Sequence, residues 1–571
     1  MRTRQVLLGI FVWAAACSTA LTEEPPKVRL AVLIVFDQMR GDYLDRWLDL
    51  FGKDGFRRLL DEGTSFQNCH YPYAMTATGP GHASLLSGCS PQTHGIIGNN
   101  WYDRQTGARV YCASYPRYER LPPLPPEPAK PDPADDKKKE DAEEKPPPGY
   151  GAPVRLLAPT VGDVLRDASP KSKIVGLSLK DRSALLPVGQ KPDACYWFDK
   201  GQFVTSTFYR DRLHAWASKF NEERTVDRWF RGQWKKLRSD IDYAEHSGPD
   251  IAAGEGKGTD QGIDFPHPFG KEKKIGKDYY AALANSPFGN QILLDFAFQA
   301  IEGEQLGQDD IPDLLTLSFS SNDLVGHTWG PDSQEVLDVT LRSDLIIRDL
   351  LAFLDAKVGK GRYVIALSAD HGICPVPEKV TAAGRTAGRM KAADFQAAAE
   401  AHLRESFGRI DEKNAHWIET MNEGGIYLNQ RLITARKLQV KDVAADLVQW
   451  LKQQPIVHSA YVTGELIKLP LSDEPVLRRI QKSLYEERNG EVCFVLKPYH
   501  LFSTYKTGTT HGSPHRYDTH VPLVVFGGGV RSGRRVEAIT PQACAPILAK
   551  ALGVAPPAKA EATLPERLYI R

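Results

Sequence analysis

Three acidic residues in this chain stand just beyond short apolar runs, and their placement gives them chemical interest. Asp37 closes the run 30–36, Asp323 comes four positions after the run 314–319 with His327 one helical turn further on, and Asp370-His371 follows the run 363–368. Ligand sites in α/β sheets gather just beyond the carboxyl ends of the strands, so these side chains are expected on one edge. A single Asp in such a place is most simply a helix cap. Three with two imidazoles make a donor set, and oxygen and nitrogen donors without thiolate suit Zn²⁺ in a catalytic site. A further imidazole is expected from Gly508-Thr-Thr-His511-Gly512, with His515 and His520 competing from the same loop.

The candidate nucleophile lies in Thr78-Gly-Pro-Gly-His-Ala-Ser-Leu. Pro80 and the residues after it read as the start of a helix, so Thr78 would stand where backbone N–H groups and the helix dipole favour anions. Such a hydroxyl is ordinarily a cap; beside zinc it can lose its proton and attack. Phosphoryl transfer asks mainly for positioning and for neutralised charge around the oxygens. Two metal ions about 4 Å apart supply much of that. Lys180 and Arg182, two positions apart after the run 173–179, would face the same side of an extended chain and bring two cations to this edge. Asn99 in His94-Gly-Ile-Ile-Gly-Asn99, with Asn100 adjoining it, would add a neutral amide donor.

The elements that must position these groups are legible as buried strands at 30–36, 173–179, 314–319, 363–368 and 521–526. Helical stretches at 53–62, 161–167 and 334–354 alternate with them. That alternation predicts an α/β fold: a central, mostly parallel sheet flanked by helices. At 571 residues the chain exceeds one simple core. A catalytic core in three parts, 28–200, 290–391 and 498–571, is expected, interrupted by a cap at 201–289 and by a second α+β insertion at 392–497 carrying the amphipathic helix 440–454. The Pro-rich, charged stretch 121–153 has little to bury and reads as a disordered surface insertion.

Lys and Arg number 72 against 71 Asp and Glu, a net +1, which gives no electrostatic case for nucleic acid as a partner. The basic start Met-Arg-Thr-Arg, the apolar run 6–16 and the small residues up to Ala20 have the layout of a signal peptide over 1–20, too short for a membrane span. Ala14-Ala15-Ala16-Cys17 suits a lipoprotein signal, and Ser18-Thr19-Ala20 an ordinary cleavage site. An exported protein is expected, periplasmic or secreted, with Cys17 as its one possible membrane anchor. The other seven cysteines, Cys69, Cys89, Cys112, Cys195, Cys374, Cys493 and Cys544, form no C-x-x-C pair and read as structural.

Taken in order, Val-Phe-Asp37-Gln-Met-Arg, Thr78-Gly-Pro-Gly-His, His-Gly-Ile-Ile-Gly-Asn99, Ser-Leu-Lys180-Asp-Arg182, Asp323-Leu-Val-Gly-His327, Ala-Asp370-His371-Gly and Thr-His511-Gly resemble the type I phosphodiesterase and nucleotide pyrophosphatase family of the alkaline phosphatase superfamily. Within it they resemble most the bacterial threonine-type (PafA-type) alkaline phosphatases. The resemblance covers nearly the whole chain after the leader, the Pro-rich stretch excepted. It implies an alkaline-phosphatase-like core with inserted caps and two Zn²⁺ per chain, one held by Asp323, His327 and His511 and the other by Asp37, Asp370, His371 and the Thr78 oxygen. It gives Asn99, Lys180 and Arg182 the phosphoryl oxygens, and it implies hydrolysis of small phosphate monoesters through a covalent phosphothreonine. The rival within the family is a phosphodiesterase or nucleotide pyrophosphatase. The Lys180/Arg182 pair favours monoesters, because a diester has one of the oxygens they would grip blocked by its second ester group. Cys89-Ser-Pro-Gln-Thr93 resembles the modified-cysteine site of sulfatases, with Thr93 where an arginine belongs. A non-catalytic exported binding protein is the reading outside enzymology.

Overall fold

The computed structural model of the chain describes residues 27–124, 149–269, 274–409, 415–422, 424–503 and 506–570. The expected signal peptide with Cys17, and most of the Pro-rich stretch, lie outside the described residues.

Leu30–Phe36 (β1) reads LAVLIVF and is buried at every position. A strand apolar on both faces belongs in the middle of a sheet that is covered on both sides. The remaining strands of that sheet are Thr64–Cys69 (β2), Arg120–Leu121 (β3), Ile174–Ser178 (β4), Ala194–Asp199 (β5), Gln202–Ser206 (β6), Asp313–Phe319 (β7), Tyr363–Ser368 (β8), Leu523–Gly527 (β9) and Gly533–Ile539 (β10). Their spatial order is β10-β2-β9-β8-β1-β7-β4-β5-β6-β3. The block from β8 through β1, β7 and β4 to β5 is parallel throughout. Outside it, β9 runs antiparallel to β8 and to β2, β6 antiparallel to β5, and β3 antiparallel to β6. The sheet is therefore mixed: parallel in its centre as expected, antiparallel at β8-β9-β2 and β5-β6-β3, and parallel again where β10 pairs with β2 at the edge.

Register matters more for function than strand count. Phe36 pairs with Phe319, Val35 with Ser368, and Ser318 with Ser178, so β1, β7, β8 and β4 end level with one another. The residues that follow them, Asp37, Ser320, Ala369 and Leu179, therefore leave the sheet at one edge. The helices that concern the site are Thr78–Ser87 (α1), Asp181–Leu185 (α2), Ser321–Trp329 (α3) and Gln334–Leu354 (α4).

Residues 392–497 carry a four-stranded sheet, ordered Ile418–Asn422, Gly425–Leu428, Val492–Leu496, Val457–Val462. The helices Ala392–Phe407 and Val440–Gln453 pack there around an apolar cluster of its own that includes Phe395, Trp417, Leu447 and Phe494. Residues 201–289 begin with β6 in the central sheet, and their Trp234, Tyr243, Phe269 and Tyr279 join the main apolar cluster.

Candidate active site

Asp37 leaves β1 fully buried. The chain turns sharply at the next residue, Gln38, which adopts a positive φ of 72°. That turn lets the Gln38 N–H donate to Asp370 Oδ1 at 3.1 Å while its side-chain amide donates to Asp323 Oδ1 at 2.6 Å. Gln38 thus ties together Asp323 and Asp370, two acids that lie 47 positions apart in the chain. Asp323 sits in the first turn of α3 with His327 one turn on, which places both on one helical face. His327 Nε2 lies 3.2 Å and His511 Nε2 3.7 Å from Asp323 Oδ1. His371 Nε2 lies 3.3 Å from Asp370 Oδ2 and 3.5 Å from Asp37 Oδ1, and its ring stacks on that of His511 with centroids 3.5 Å apart.

Two groups of potential ligands result: Asp323 with His327 and His511, and Asp37 with Asp323 and His371, the donor atoms within each lying less than 4.8 Å apart. Asp370 adjoins the second through His371. The imidazoles are set for metal binding by their other nitrogens. His327 Nδ1 lies 2.7 Å from Thr509 O, His371 Nδ1 2.9 Å from Gly372 O, and His511 Nδ1 2.8 Å from Thr76 O. A carbonyl only accepts, so each Nδ1 carries the proton and each Nε2 offers a lone pair inward. Asp37 Oδ1 and Asp370 Oδ2 are buried without a hydrogen-bond partner. Unpaired carboxylate oxygens in the interior cost several kcal/mol unless a cation meets them, and this thiolate-free set of oxygen and nitrogen donors fits two divalent metal ions.

Electrostatics agree. Burial lifts the Asp37 carboxyl well above the ordinary carboxylate range, and the neighbouring Asp323 and Asp370 add to the rise. Burial pushes Asp323 the same way, but Lys180 and His327 outweigh it and hold that carboxyl well below the range. At Asp370 burial is outweighed by His371 and His82, again downward. Burial lowers both His371 and His511, which keeps them neutral and able to donate a lone pair. At His327 burial is outweighed by Asp323, and that imidazole titrates higher than usual.

Thr78 is the first residue of α1, and the cap position before it is held by an extended Ala77, whose side chain makes no cap hydrogen bond. The buried Thr78 Oγ1 lies 3.4 Å from His371 Nε2 and 3.4 Å from Arg182 Nη2. Asn99 Oδ1 accepts from the Gly79 N–H at 2.7 Å, so the Asn99 amide approaches the same helix end and its NH₂ remains to donate. Asn100 instead opens the strand Asn100–Asp103. Lys180 Nζ donates to Asp37 Oδ2 at 2.7 Å and Asp323 Oδ2 at 2.5 Å, drawn to the clustered acids. The two competing histidines point elsewhere: His515 Nε2 to Leu496 O at 2.9 Å and His520 Nε2 to Gln67 O at 3.1 Å. Cys89 lies beyond the far end of α1, its thiol against Ser87, and the seven described cysteines are all buried and unpaired.

Three contributors were missed in the sequence. Gln38 is one. His82 is another: buried on α1, its Nδ1 lies 2.9 Å from Thr78 O and 3.2 Å from Asp370 Oδ2, and its Nε2 2.7 Å from Ser318 Oγ. Its spacing of four from Thr78 was the available signal. The third is the Tyr111–Asp181 pair. Tyr111 donates to Asp181 Oδ1 at 2.5 Å, Asp181 Oδ1 also accepts from Arg182 N at 2.7 Å, and Arg182 Nη1 donates to Tyr111 OH at 3.2 Å. Arg182 is held from behind by this clasp while Nη2 reaches Thr78. The site opens into a cavity of about 1620 Å³ whose walls include Asn99, His327 and His511.

The family described as "Type I phosphodiesterase / nucleotide pyrophosphatase" matches residues 31–518, and this span contains every ligand named above. The chain belongs to that family. Within it, the chain is 34% identical over 542 residues to alkaline phosphatase PafA of Elizabethkingia meningoseptica, covering 92% of each chain. It is 33% identical to a protein of Myroides odoratus named as a calcium-transporting ATPase, over 93% of each, and 32% identical to alkaline phosphatase PhoV of Synechococcus elongatus, over 89% of this chain and 86% of that one. The crystal structure of wild-type PafA superposes with a TM-score of 0.84 at 33% identity, over 96% of this chain and 99% of that one. The fold is therefore the PafA-like form of the alkaline phosphatase core.

Proposed function

We propose that this member of the type I phosphodiesterase family is a zinc-dependent alkaline phosphatase that hydrolyses phosphate monoesters through Thr78. The observation that carries the reading is the Thr78 hydroxyl: buried at the first position of α1, 3.4 Å from both His371 Nε2 and Arg182 Nη2, and set beside two groups of metal donors. One ion would be held by Asp323, His327 and His511, the other by Asp37, Asp370, His371 and the Thr78 oxygen. When bound, two Zn²⁺ supply charge that neutralises phosphoryl oxygens and lowers the pKa of a hydroxyl or a water.

The chain's own residues do the rest. Thr78 Oγ1 forms a bond to phosphorus as the ester P–O bond breaks and the alcohol departs with the shared electron pair. Arg182 and the Asn99 amide take the non-bridging oxygens, and the free N–H groups at the start of α1 face the same charge. Lys180 joins them in this reading, leaving the carboxylates once metal ions satisfy those acids. Water then attacks phosphorus, the P–Oγ1 bond of the phosphothreonine breaks, and inorganic phosphate leaves. The alkaline phosphatase names of PafA and PhoV support the reaction class. A second PafA structure carries replacements of a threonine, an asparagine, a lysine and an arginine, in the order and with the within-pair spacing of Thr78, Asn99, Lys180 and Arg182. The basic and apolar start of the chain supports export.

Phenyl phosphate and methyl phenyl phosphate, offered to the purified zinc-loaded chain with and without a chelator, test the reading. The monoester should turn over faster, the chelator should abolish turnover, and Thr78→Ala should lower kcat by several orders of magnitude. Turnover surviving in Thr78→Ala would sink the nucleophile assignment.

A further inference from the structure

The cavity of about 1620 Å³ is far more than a phosphoryl group needs, and it exceeds the roughly 300–1,000 Å³ of an ordinary small-molecule pocket. The alcohol half of the ester must therefore lie in it as well, and the walls beyond the metal donors decide which alcohols fit. Part of the wall is Gly256-Lys257-Gly258, from the glycine-rich segment Gly254-Glu-Gly-Lys257-Gly258 in the middle of the chain.

This segment is built onto the catalytic edge. Gly256 N donates to Thr328 O at 2.7 Å, next to His327, and Gly508 N donates to Gly254 O at 2.7 Å, joining it to the loop that carries His511. A Cβ on Gly256 would come within 2.8 Å of Thr328 O, so the close approach requires glycine there. Gly254 and Gly258 take positive φ of 85° and 56°, which shapes the turn. Between them Glu255 is buried, accepting from Lys379 Nζ at 2.8 Å and Ala252 N at 2.9 Å. Behind the turn, Gln261 N and Gly262 N both donate to Lys257 O, at 3.1 and 3.0 Å.

The segment is thus anchored through Gly254, Gly256 and the Lys257 carbonyl, and the exposed Lys257 side chain makes no hydrogen bond or ion pair among the described residues. It lines the same cavity as His327, His511 and Asn99. Glu419 also lines the cavity and makes no ion pair with Lys257. A cation held on a fixed turn within a partly enclosed cleft attracts anions entering that cleft more strongly than a lysine on open surface.

We propose that Lys257 forms an anion subsite for the alcohol half of the substrate, so that the enzyme favours phosphate monoesters whose leaving group carries a second anionic group, a carboxylate or another phosphate. The inference rests on the phosphatase reading above. It assigns Lys257 to substrate selection, leaving bond breaking to the groups around Thr78.

The test measures kcat/KM for 4-carboxyphenyl phosphate, its neutral isostere 4-carbamoylphenyl phosphate, and 1,4-phenylene bisphosphate in the zinc-loaded wild-type chain and in Lys257→Ala, Lys257→Arg and Lys257→Glu. The preference for the anionic substrates over the carbamoyl one should fall about three- to fivefold in Lys257→Ala, the size of a half-screened ion pair. It should fall further in Lys257→Glu, be retained in Lys257→Arg, and shrink with added salt. A loss confined to the bisphosphate, or to the carboxylate, supports the subsite and names its ligand. An unchanged preference across all four proteins overturns the proposal. Failure of the phosphatase reading would be seen separately, as no hydrolysis of any of the three by the wild-type chain, and would overturn this inference with it.

Discussion

At the scale of single residues, the proposed reaction makes Arg182 the group that would separate monoester from diester chemistry. A monoester offers that guanidinium two charged non-bridging oxygens beyond the one nearest the nucleophile, and a diester has one of them esterified. Arg182→Ala should therefore lose at least tenfold more kcat/KM on phenyl phosphate than on methyl phenyl phosphate; equal losses would remove Arg182 as the discriminating group. Tyr111→Phe should show the same bias more weakly, because it keeps the guanidinium and loosens only the clasp through Asp181. Residue chemistry was legible where a charged or nucleophilic side chain followed an apolar run, as with Asp37, Asp370 and Lys180. Gln38, His82 and Tyr111 were not, because their roles depend on what the chain folds against them. An amide in a turn, an imidazole inside a helix and a phenol in a hairpin are common residues until a second element, far off in sequence, supplies the partner.

At the scale of elements, α1 carries Thr78, the proposed nucleophile, and packs against the loop after β8 with no space to spare. A Cβ on Gly81 would lie 2.2 Å from Asp370 O, so Gly81→Ala must push the helix and that loop apart. Displacing a nucleophile by about 1 Å costs on the order of a hundredfold in rate. Gly81→Ala should show that loss in kcat with its circular dichroism intact, whereas Gly464→Ala, where an added methyl meets nothing within 4 Å, should retain wild-type rates. A second element-level device joins the middle segment to α4. Glu335 there is buried, its Oε1 lies 3.1 Å from His267 Nε2, its Oε2 has no partner, and burial pushes its carboxyl up to about 7. A carboxyl that binds its proton more tightly folded than unfolded makes the fold lose stability as pH climbs from about 4.5 to about 7. Glu335→Gln keeps a donor for the imidazole and removes that slope, so its melting temperature should fall less than that of the wild-type chain between pH 5 and pH 8. The strands were legible where burial on both faces made them continuous apolar runs, as at β1, β7 and β8. β2, reading TSFQNC, gave no such signal because polar residues sit in its half-covered part.

At the scale of the whole molecule, three buried carboxylates and three imidazoles converge from positions between 37 and 511. Holding like charges that close without counter-ions costs several kcal/mol, so metal ions should stabilise the fold as well as complete the site. Chelation should lower the melting temperature by several degrees, and excess zinc should restore it; an unchanged melting curve would mean the acids are neutralised some other way. The same convergence has a temporal side. A growing polypeptide that has not yet delivered His511 cannot complete the ligand group of Asp323, His327 and His511, and β9 is not yet present to brace β8. In the proposed reaction Thr78 would therefore stay idle on an unfinished chain, with hydrolysis beginning only once the segment that carries His511 has docked.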